Sequence, residues 1–486
     1  MNNWDAIEFA QQIRQKKVST EEAVCYCIDQ IEKLNPAINA VVSRQYDEAL
    51  ALAKTKSFTD KVFGGVPILL KDLGQQQKGQ PSTSGSRLFA SYKAVQTDNF
   101  VKKLEDLGFI VLGRTNTPEF GFKNVSDSSL HGTVKLPLDL NRHAGGSSGG
   151  AAAALSSGMV PLVAASDGGG SIRIPASFNG LLGLKPTRGR IPVGPTSFRG
   201  WQGASSNFAL TKSVRDTKTL LFYLQTCQME SPFPLPILKK AELENQLTQS
   251  LKIAYSYRSP IGNSISKAAK KAMDKTLRFL ESQGHELIEV DQTGVDGIEA
   301  MKSYYIMNSV ETAAMFDDVE AAIGRQVTVE DMEVMTWAIY QSGQSILAKD
   351  FSKTLSQWDQ YSRITSEFHQ TYDLYLTPTT TDIAPPLDAF NLSSDLKEKL
   401  FHLSEYTMLE QQDLIWTMFE KSLAWTPFTQ QANLTGQPSM SLPVYKTKDG
   451  LPIGVQITAA KGREDILLQL AQLFENEQQL EYGFVQ

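Results

Sequence analysis

The run DGGGSIR, residues 167–173, combines residue types that could cleave an acyl bond. Three consecutive glycines lack the Cβ atoms that restrict the backbone, so successive N–H groups can converge on one point. Such a nest of N–H groups stabilises an oxyanion, and Ser171 at its end could attack the same carbonyl carbon. An isolated GGGS run is more often an ordinary tight turn, so this pattern alone leaves both interpretations open.

A second run of small residues, GGSSGG, spans residues 145–150. It does not fit a phosphate-binding loop, because no Gly-Lys-Ser/Thr follows it. It does not fit the dinucleotide fingerprint either, because no acidic residue is placed to bind a ribose. Taken alone, the run is typical of a loop that leads into the alanine-rich segment 151–155.

Lys71 ends the apolar run VPILLK, residues 66–71. A lysine at the end of an apolar strand is usually solvated and charged. If it is buried instead, its pKa falls, because desolvation disfavours the charged form, and the neutral amine is then a general base. Lys71 is therefore a candidate base for Ser171.

Among the histidines, only one is a plausible alternative to Lys71 as the general base. No Gly-x-Ser-x-Gly elbow surrounds Ser171, because residue 169 is glycine. His143, close to the GGSSGG run, is the one histidine that could replace Lys71 as the base. No His/Glu cluster has the spacing of a hydrolytic metal site, and the sequence predicts neither a metal nor a cofactor. The five histidines are His131, His143, His285, His369 and His402.

Composition narrows the class of protein. The 486 residues carry a net charge of −6, from 47 basic and 53 acidic side chains, which gives no basic footprint for nucleic acid or an anionic membrane. There are three cysteines without a disulfide or zinc pattern, no signal-peptide core, and no run of about 18 apolar residues. We expect a cytoplasmic protein that binds neither nucleic acid nor membrane; a homodimer is left open.

The elements around these motifs predict an α/β fold. Residues 66–70 and 109–113 are apolar on both faces, as in buried central strands, with a helix predicted between them. Residues 151–155 predict a helix and 161–165 a strand that leads into the glycine turn. This alternation predicts a single α/β/α domain, 1–486, with a large twisted mixed sheet covered by helices.

In order and spacing, the motifs resemble those of the amidase signature family, and the resemblance spans nearly the whole chain. It implies the amidase signature fold, with a catalytic core at residues 60–200 and a helical elaboration at 220–370 that shapes the substrate pocket. The matching segments are GGVPILLKD (64–72), GRTNTPEFG (113–121), GGSSGG (145–150), SDGGGSIRIPASFNGLLGLKPTRGR (166–190), YDLYLTPTT (372–380) and NLTGQPSMSLP (433–443).

The resemblance implies a Ser–cis-Ser–Lys triad. The nucleophile is Ser171, the cis-serine is Ser147, whose peptide bond to Gly146 should be cis, and the base is Lys71. Neutral Lys71 would draw a proton from Ser171 through Ser147, and an acyl-enzyme would form on Ser171. The backbone N–H groups of about residues 168–171 would then hold the oxyanion.

The family also implies positions that surround the reacting groups. Asp167 and Arg173 are expected to brace the glycine turn, and Ser148 to support the site through hydrogen bonds. The predicted substrate-binding residues are Thr117, Ser148, Gly168, Gly169 and Gly170. Further pocket residues are predicted in the helical segment at Tyr304, Tyr305, Asn308 and Trp337.

Gly168 marks a departure, because many family members have Thr or Ile there. SDGGGSIRIPAS resembles the branch that includes hydrolases of the cyclic 6-aminohexanoate dimer, and we hypothesise that Gly168 widens the space beside the nucleophile. The expected function is hydrolysis of a small, largely apolar or cyclic amide. The alternatives are the glutaminase subunit of a tRNA-dependent amidotransferase, which usually has Gln where Ile174 stands, and a non-catalytic binding protein.

Overall fold

A mixed β-sheet of eleven strands forms the centre of the molecule. The computed structural model describes residues 1 and 4–484. The strands of this part of the chain are β1 (Val41–Arg44), β2 (Pro67–Lys71), β3 (Ile110–Thr115), β4 (Asp127–Ser128), β5 (Gly132–Thr133), β6 (Lys135–Leu136), β7 (Asp139–His143), β8 (Val163–Asp167), β9 (Leu182–Lys185), β10 (Ser206–Thr211), β11 (Lys252–Tyr255), β12 (Glu286–Glu289), β13 (Leu374–Pro378), β14 (Ser439–Lys446) and β15 (Pro452–Ala459).

Helices cover this sheet. They are α1 (Ala6–Arg14), α2 (Thr20–Ile38), α3 (Tyr46–Thr55), α4 (Asn99–Asp106), α5 (Gly149–Ser156), α6 (Arg173–Asn179), α7 (Val214–Leu224), α8 (Lys240–Glu244), α9 (Lys267–Ser282), α10 (Gly297–Ile323), α11 (Val334–Ser345), α12 (Ala348–Thr371), α13 (Ser394–Phe401), α14 (Met408–Trp425), α15 (Gln430–Thr435) and α16 (Glu464–Asn476). Within residues 1 and 4–484, none combines the length and apolarity needed to cross a bilayer.

The order of the strands confirms the predicted α/β class. The sheet runs β1-β3-β2-β8-β10-β9-β14-β15-β13-β11-β12, and β4 to β7 form two small hairpins beside it. Strand β2 pairs in parallel with β3 and β8, whereas β10 is antiparallel to β8 and β9. Every residue of β2, β3 and β8 is buried, which explains why each of these strands begins with an apolar run in the sequence, although each ends on polar or charged residues.

The segment 220–370 differs from the helical elaboration that we expected. It contains α9 to α12, but it also supplies β11 and β12, which pair in parallel and extend the main sheet beyond β13. Both strands have only four residues, too short for their apolar pattern to stand out beside the long helices. Part of this segment therefore belongs to the central sheet.

A buried ion pair joins the start of α16 to the loop that follows β9. Arg190 donates to the two carboxylate oxygens of Glu464 at 3.1 and 3.0 Å, and Glu464 also accepts the backbone N–H of Thr187 at 2.9 Å. Both charged side chains are almost wholly removed from solvent. Loss of one partner would leave the other as an uncompensated buried charge.

We predict that Glu464→Ala lowers the free energy of unfolding by about 3–5 kcal/mol, because the buried guanidinium of Arg190 loses its counter-charge and keeps only neutral hydrogen-bond acceptors. Urea denaturation measures this difference. The neighbouring pair Arg463–Asp465 provides a matched control, because Arg463 is half exposed. Asp465→Ala should cost less than about 1 kcal/mol. Equal losses for the two variants would contradict the prediction.

Candidate active site

Lys71, the last residue of β2, is fully buried. Its Nζ lies within hydrogen-bonding distance of three oxygens: Ser147 Oγ at 2.7 Å, Ser166 Oγ at 3.0 Å and the Ser166 carbonyl at 3.4 Å. Ser166 stands on β8, the strand next to β2 in the sheet. The sequence prediction did not include Ser166, which lies one residue before the DGGGS run.

Burial lowers the pKa of Lys71 to about 7, although the Asp167 carboxylate acts in the opposite direction. An ammonium group would donate to all three oxygens. A neutral amine keeps two N–H groups, which suffice for the two oxygens of Ser166, and its lone pair then faces the Ser147 hydroxyl. The site therefore contains a buried amine that faces a serine hydroxyl and could act as a base toward it.

Ser147 follows a cis peptide bond to Gly146, as predicted. Gly146 lies tight against the backbone of the preceding loop: a Cβ at this position would stand 2.6 Å from Val125 N. The Ser147 carbonyl accepts a hydrogen bond from Ser126 Oγ at 3.2 Å. These contacts fix the serine at the start of α5, with its hydroxyl directed at Lys71.

Ser171 lies between the glycine turn and α6, and its hydroxyl has no hydrogen-bond partner within residues 1 and 4–484. Ser171 and Ser147 line the same cavity, which has a volume of about 210 Å³. Ser166 and Gly168 line it as well. The predicted nucleophile and the serine that contacts Lys71 thus line one cavity that a small molecule could enter.

The glycine turn presents several backbone N–H groups. Gly170 donates its N–H to the Asp167 carboxylate at 2.7 Å, so this group is not free for a ligand. The N–H groups of Gly168, Gly169 and Ser171 have no acceptor in the described part of the chain. Gly170 has φ +128°, and a Cβ there would lie 2.3 Å from Thr429 Oγ1, so this position requires glycine. The turn can therefore bind an oxyanion through three N–H groups.

Asp167 and Arg173 brace this turn, as the sequence predicted. Arg173 Nε and Nη2 each donate to the Asp167 carboxylate at 2.9 Å, and Asn433 Nδ2 donates to it at the same distance. Ile172 N–H donates to it at 3.1 Å. Burial by itself would raise the pKa of Asp167, but the Arg173 charge and these donors hold that pKa well below its usual range. Asp167 remains a carboxylate and acts as a structural anchor.

Comparison with known proteins identifies the family of this chain. The amidase family model matches residues 22–468. The chain belongs to the amidase signature family. It is 38% identical over 481 residues to a lipoamidase of Enterococcus faecalis, covering 99% of this chain and 64% of that protein's length. It is 30% identical to the 6-aminohexanoate-cyclic-dimer hydrolase of Paenarthrobacter ureafaciens, covering 97% of this chain and 94% of the relative.

A solved structure of 6-aminohexanoate cyclic dimer hydrolase in complex with its substrate superposes with a TM-score of 0.89. The sequence identity is 30%, and the alignment covers 99% of this chain and 98% of the solved chain. This amidase therefore has the amidase signature fold, and its relatives are hydrolases of amide C–N bonds.

Tyr304 of this amidase, predicted as a pocket residue, borders the glycine turn but is not among the residues that line the cavity around Ser171. A Cβ at Gly169 would lie 2.8 Å from the Tyr304 hydroxyl. Tyr305 and Asn308, the other two residues of α10 that were predicted for the pocket, make different contacts. Tyr305 stacks on Phe419 with ring centroids 4.9 Å apart, and Asn308 Nδ2 donates to the Tyr304 carbonyl at 3.3 Å. Among these three residues of α10, Tyr304 is the one that borders the glycine turn.

Three other residues named from the sequence do not line the cavity around Ser171 in the described structure. Thr117 is fully buried, and the Ser148 hydroxyl donates to the Ser166 carbonyl at 3.1 Å. Trp337 donates its Nε1–H to the Phe401 carbonyl at 3.1 Å. Ser148 therefore supports the residue that contacts Lys71, and substrate binding by Thr117 stays a prediction from the sequence.

His143, the rival base, is also outside this cavity. It is buried at the end of β7, and its Nε2 lies 3.1 Å from the Leu387 carbonyl. Burial lowers the pKa of His143, so a neutral ring in that position is stable. Its surroundings match those of a structural histidine.

We predict that Ser166→Ala lowers kcat/KM for amide hydrolysis roughly tenfold or more, because a hydrogen bond to a charged or polarised group is worth about 1.5–3 kcal/mol. In the wild type, the Ser166 hydroxyl oxygen accepts from Lys71 and stabilises its ammonium form. Removal of this oxygen should lower the pKa of Lys71, so the midpoint of the pH profile should move to lower pH. Ser166→Thr keeps the hydroxyl and should restore both values. An unchanged rate and pH midpoint in Ser166→Ala would show that Ser166 does not position Lys71.

Proposed function

We propose that the protein is a serine amidase that hydrolyses the carboxamide bond of a small, largely apolar or cyclic amide through an acyl-enzyme on Ser171. The observation that carries this proposal is the buried Lys71 amine, which lies 2.7 Å from Ser147 Oγ at the edge of a cavity that also exposes Ser171. The membership of the amidase family and the unpartnered N–H groups beside Ser171 support it.

The first half of the reaction forms the acyl-enzyme. Neutral Lys71 accepts the Ser147 proton while Ser147 accepts the Ser171 proton, and Ser171 Oγ forms a bond to the carbonyl carbon. The carbonyl oxygen becomes an oxyanion, which the free N–H groups of Gly168, Gly169 and Ser171 stabilise. The C–N bond then breaks as the nitrogen takes a proton from Ser147, and Ser147 recovers one from the Lys71 ammonium.

The second half regenerates the enzyme. The amine leaves, and a water molecule enters the space that it vacates. Ser147 accepts a proton from this water as Lys71 again accepts the Ser147 proton, and the water oxygen attacks the ester carbonyl. The C–O bond to Ser171 then breaks as Ser171 Oγ takes a proton from Ser147 and Ser147 recovers one from the Lys71 ammonium, and the product is a carboxylic acid. The same relay serves both halves because attack and departure occur at one carbonyl carbon.

The lining of the cavity supports a small apolar substrate. Its volume of about 210 Å³ accommodates a short chain or ring around the reacting amide. One relative is named for the cyclic dimer of 6-aminohexanoate, an amide whose single ring consists mainly of methylene groups. The large apolar side chains that line the cavity are Leu73, Phe100, Phe120 and Trp201.

We predict that Ser171→Ala abolishes turnover of every amide that the wild type cleaves, because no other hydroxyl in the cavity ends the oxyanion turn. A fluorophosphonate probe should label the wild type at Ser171, located by peptide mass spectrometry, and should not label the variant. Ser156→Ala is the matched control. Ser156 is a buried serine of α5 that does not line the cavity, and its hydroxyl donates a hydrogen bond to Asn179. Normal turnover by Ser171→Ala would overturn the proposed mechanism, and glutamine as the preferred substrate would overturn the proposed substrate class.

The pH dependence provides a second prediction. Lys71 must be neutral to accept a proton, and its pKa is about 7, so kcat/KM should fall about tenfold per pH unit below 7 and reach a plateau above it. Lys185 is a matched control, because burial also lowers the pKa of Lys185 to about 7 but its Nζ donates to the Pro186 carbonyl. Lys185→Met should keep the midpoint, whereas Lys71→Met should lose activity at every pH. If the midpoint moves in Lys185→Met, the assignment of the pH dependence to Lys71 is wrong.

A further inference from the structure

Gly168 does not leave open space beside the nucleophile, because the ring of Trp201 occupies it. A Cβ at Gly168 would lie 2.7 Å from both Cε3 and Cζ3 of that ring. Both residues line the cavity that contains Ser171. The hypothesis that Gly168 widens the site is therefore wrong in its simple form: the missing Cβ makes room for a side chain from another segment.

Two further aromatic rings hold Trp201 in place. Phe122 stacks on it with centroids 6.0 Å apart and planes 6° apart, and Tyr304 meets it edge-on at 6.0 Å and 79°. Tyr304 also stands over Gly169, the next residue of the turn. An aromatic wall thus covers the turn at Gly168 and Gly169, next to the N–H groups that would bind the oxyanion.

The backbone at Trp201 is held in an unusual conformation. Trp201 and Gln202 have φ of +51° and +52°, in the left-handed region that non-glycine residues rarely occupy. The Trp201 carbonyl accepts the Ala204 N–H at 2.9 Å, and Gln202 Nε2 donates to Glu311 Oε1 at 2.7 Å. Such strain persists where the surrounding structure fixes it, and it is concentrated at ligand sites. The ring is therefore positioned by the fold and is not a loose surface side chain.

The proposed proton relay indicates which half of the substrate, the acyl half or the amine half, lies against this aromatic wall. Ser147 returns the proton to the leaving nitrogen, so the amine half lies on the Ser147 side of the carbonyl, where Leu73 lines the cavity. Gly121 is close to Ser147 as well, since a Cβ there would lie 3.3 Å from Ser147 Oγ. The Trp201 ring covers Gly168 instead, beside the acyl half.

We infer that Trp201, packed on Gly168, is the specificity-determining residue for the acyl half of the amide and selects unbranched apolar acyl chains. This inference rests on the proposed function. The flat ring offers an extended methylene chain a continuous apolar surface, whereas a branch next to the carbonyl would meet the ring, which Phe122 and Tyr304 prevent from moving aside. The methylene groups of such a chain lose contact with water against the ring.

Two substrate series test the inference. In the first, 4-nitroanilides carry unbranched acyl groups from acetyl to octanoyl, together with 2-methylhexanoyl; in the second, hexanoyl is joined to different amines. Trp201→Ala should lower kcat/KM for the hexanoyl anilide roughly tenfold or more and raise the relative rate of the branched one. The ranking of amines should not change. An unaltered acyl profile, or a change confined to the amine series, would overturn the assignment.

Paired variants test the contact itself. Gly168 is not among the glycines with positive φ, and the nearest atoms to a Cβ at this position all belong to the Trp201 ring. Gly168→Ala should therefore lose most activity toward the acetyl anilide, whose acyl group has no methylene chain that depends on the ring. Gly168→Ala with Trp201→Leu should recover at least part of it, because the smaller side chain frees the space. Gly168→Ala with Phe100→Leu is the matched control and should not recover, since Phe100 also lines the cavity but packs in a different hydrophobic cluster from Trp201. Recovery in neither or both double variants would contradict the inference.

Fluorophosphonate labelling of Ser171 separates the two proposals. If the wild type is not labelled there, the proposed function fails. If wild type and Trp201→Ala are both labelled but share one acyl profile, only the role of Trp201 fails. Thermal melting reports whether Trp201→Ala is folded. If it is not, Trp201→Phe replaces it, and this variant should show an acyl profile that is shifted in the same direction by a smaller amount.

Discussion

The removal of the Lys71 amine from water is the constraint on which the site depends. An unpaired ammonium is costly inside a protein, and burial at the end of β2 brings the pKa of Lys71 down to about 7. The parallel neighbours β3 and β8 keep this strand covered. The Lys71 amine lies within hydrogen-bonding distance of two oxygens of Ser166, and the Ser148 hydroxyl donates to the Ser166 carbonyl. The fold therefore both excludes water from the amine and fixes its orientation.

Burial alone does not decide what a charged group becomes. Asp167 is as deeply buried as Lys71 but remains ionised, because Arg173 and Asn433 compensate its charge. Lys185 has a pKa of about 7 as well, yet its amine is directed at the Pro186 carbonyl outside the cavity. Lys71 thus differs from Lys185 and Asp167 in geometry, because its amine lies within reach of a hydroxyl that lines a cavity.

Much of this arrangement could be predicted from the sequence. The strand that ends at Lys71 and the glycine turn before Ser171 follow from local patterns, and the cis bond before Ser147 follows from the family resemblance. Ser166 and Trp201 could not be predicted in this way, because their partners lie 95 and 33 positions away along the chain. Contacts of this kind are determined by how the strands and loops pack, and no local pattern of residue types records them.

Gly168 shows how such a contact changes the meaning of a residue. In the sequence, a glycine where relatives carry larger side chains indicates extra space. In the fold, that space belongs to Trp201, whose ring arrives from a loop with a strained backbone. The two positions are therefore coupled, and a larger residue at 168 requires a smaller one at 201. Under the proposed function, the shape of the acyl site would follow from this pair of residues, and Lys71 and Ser147, the proposed reacting groups, need not change when the pair does.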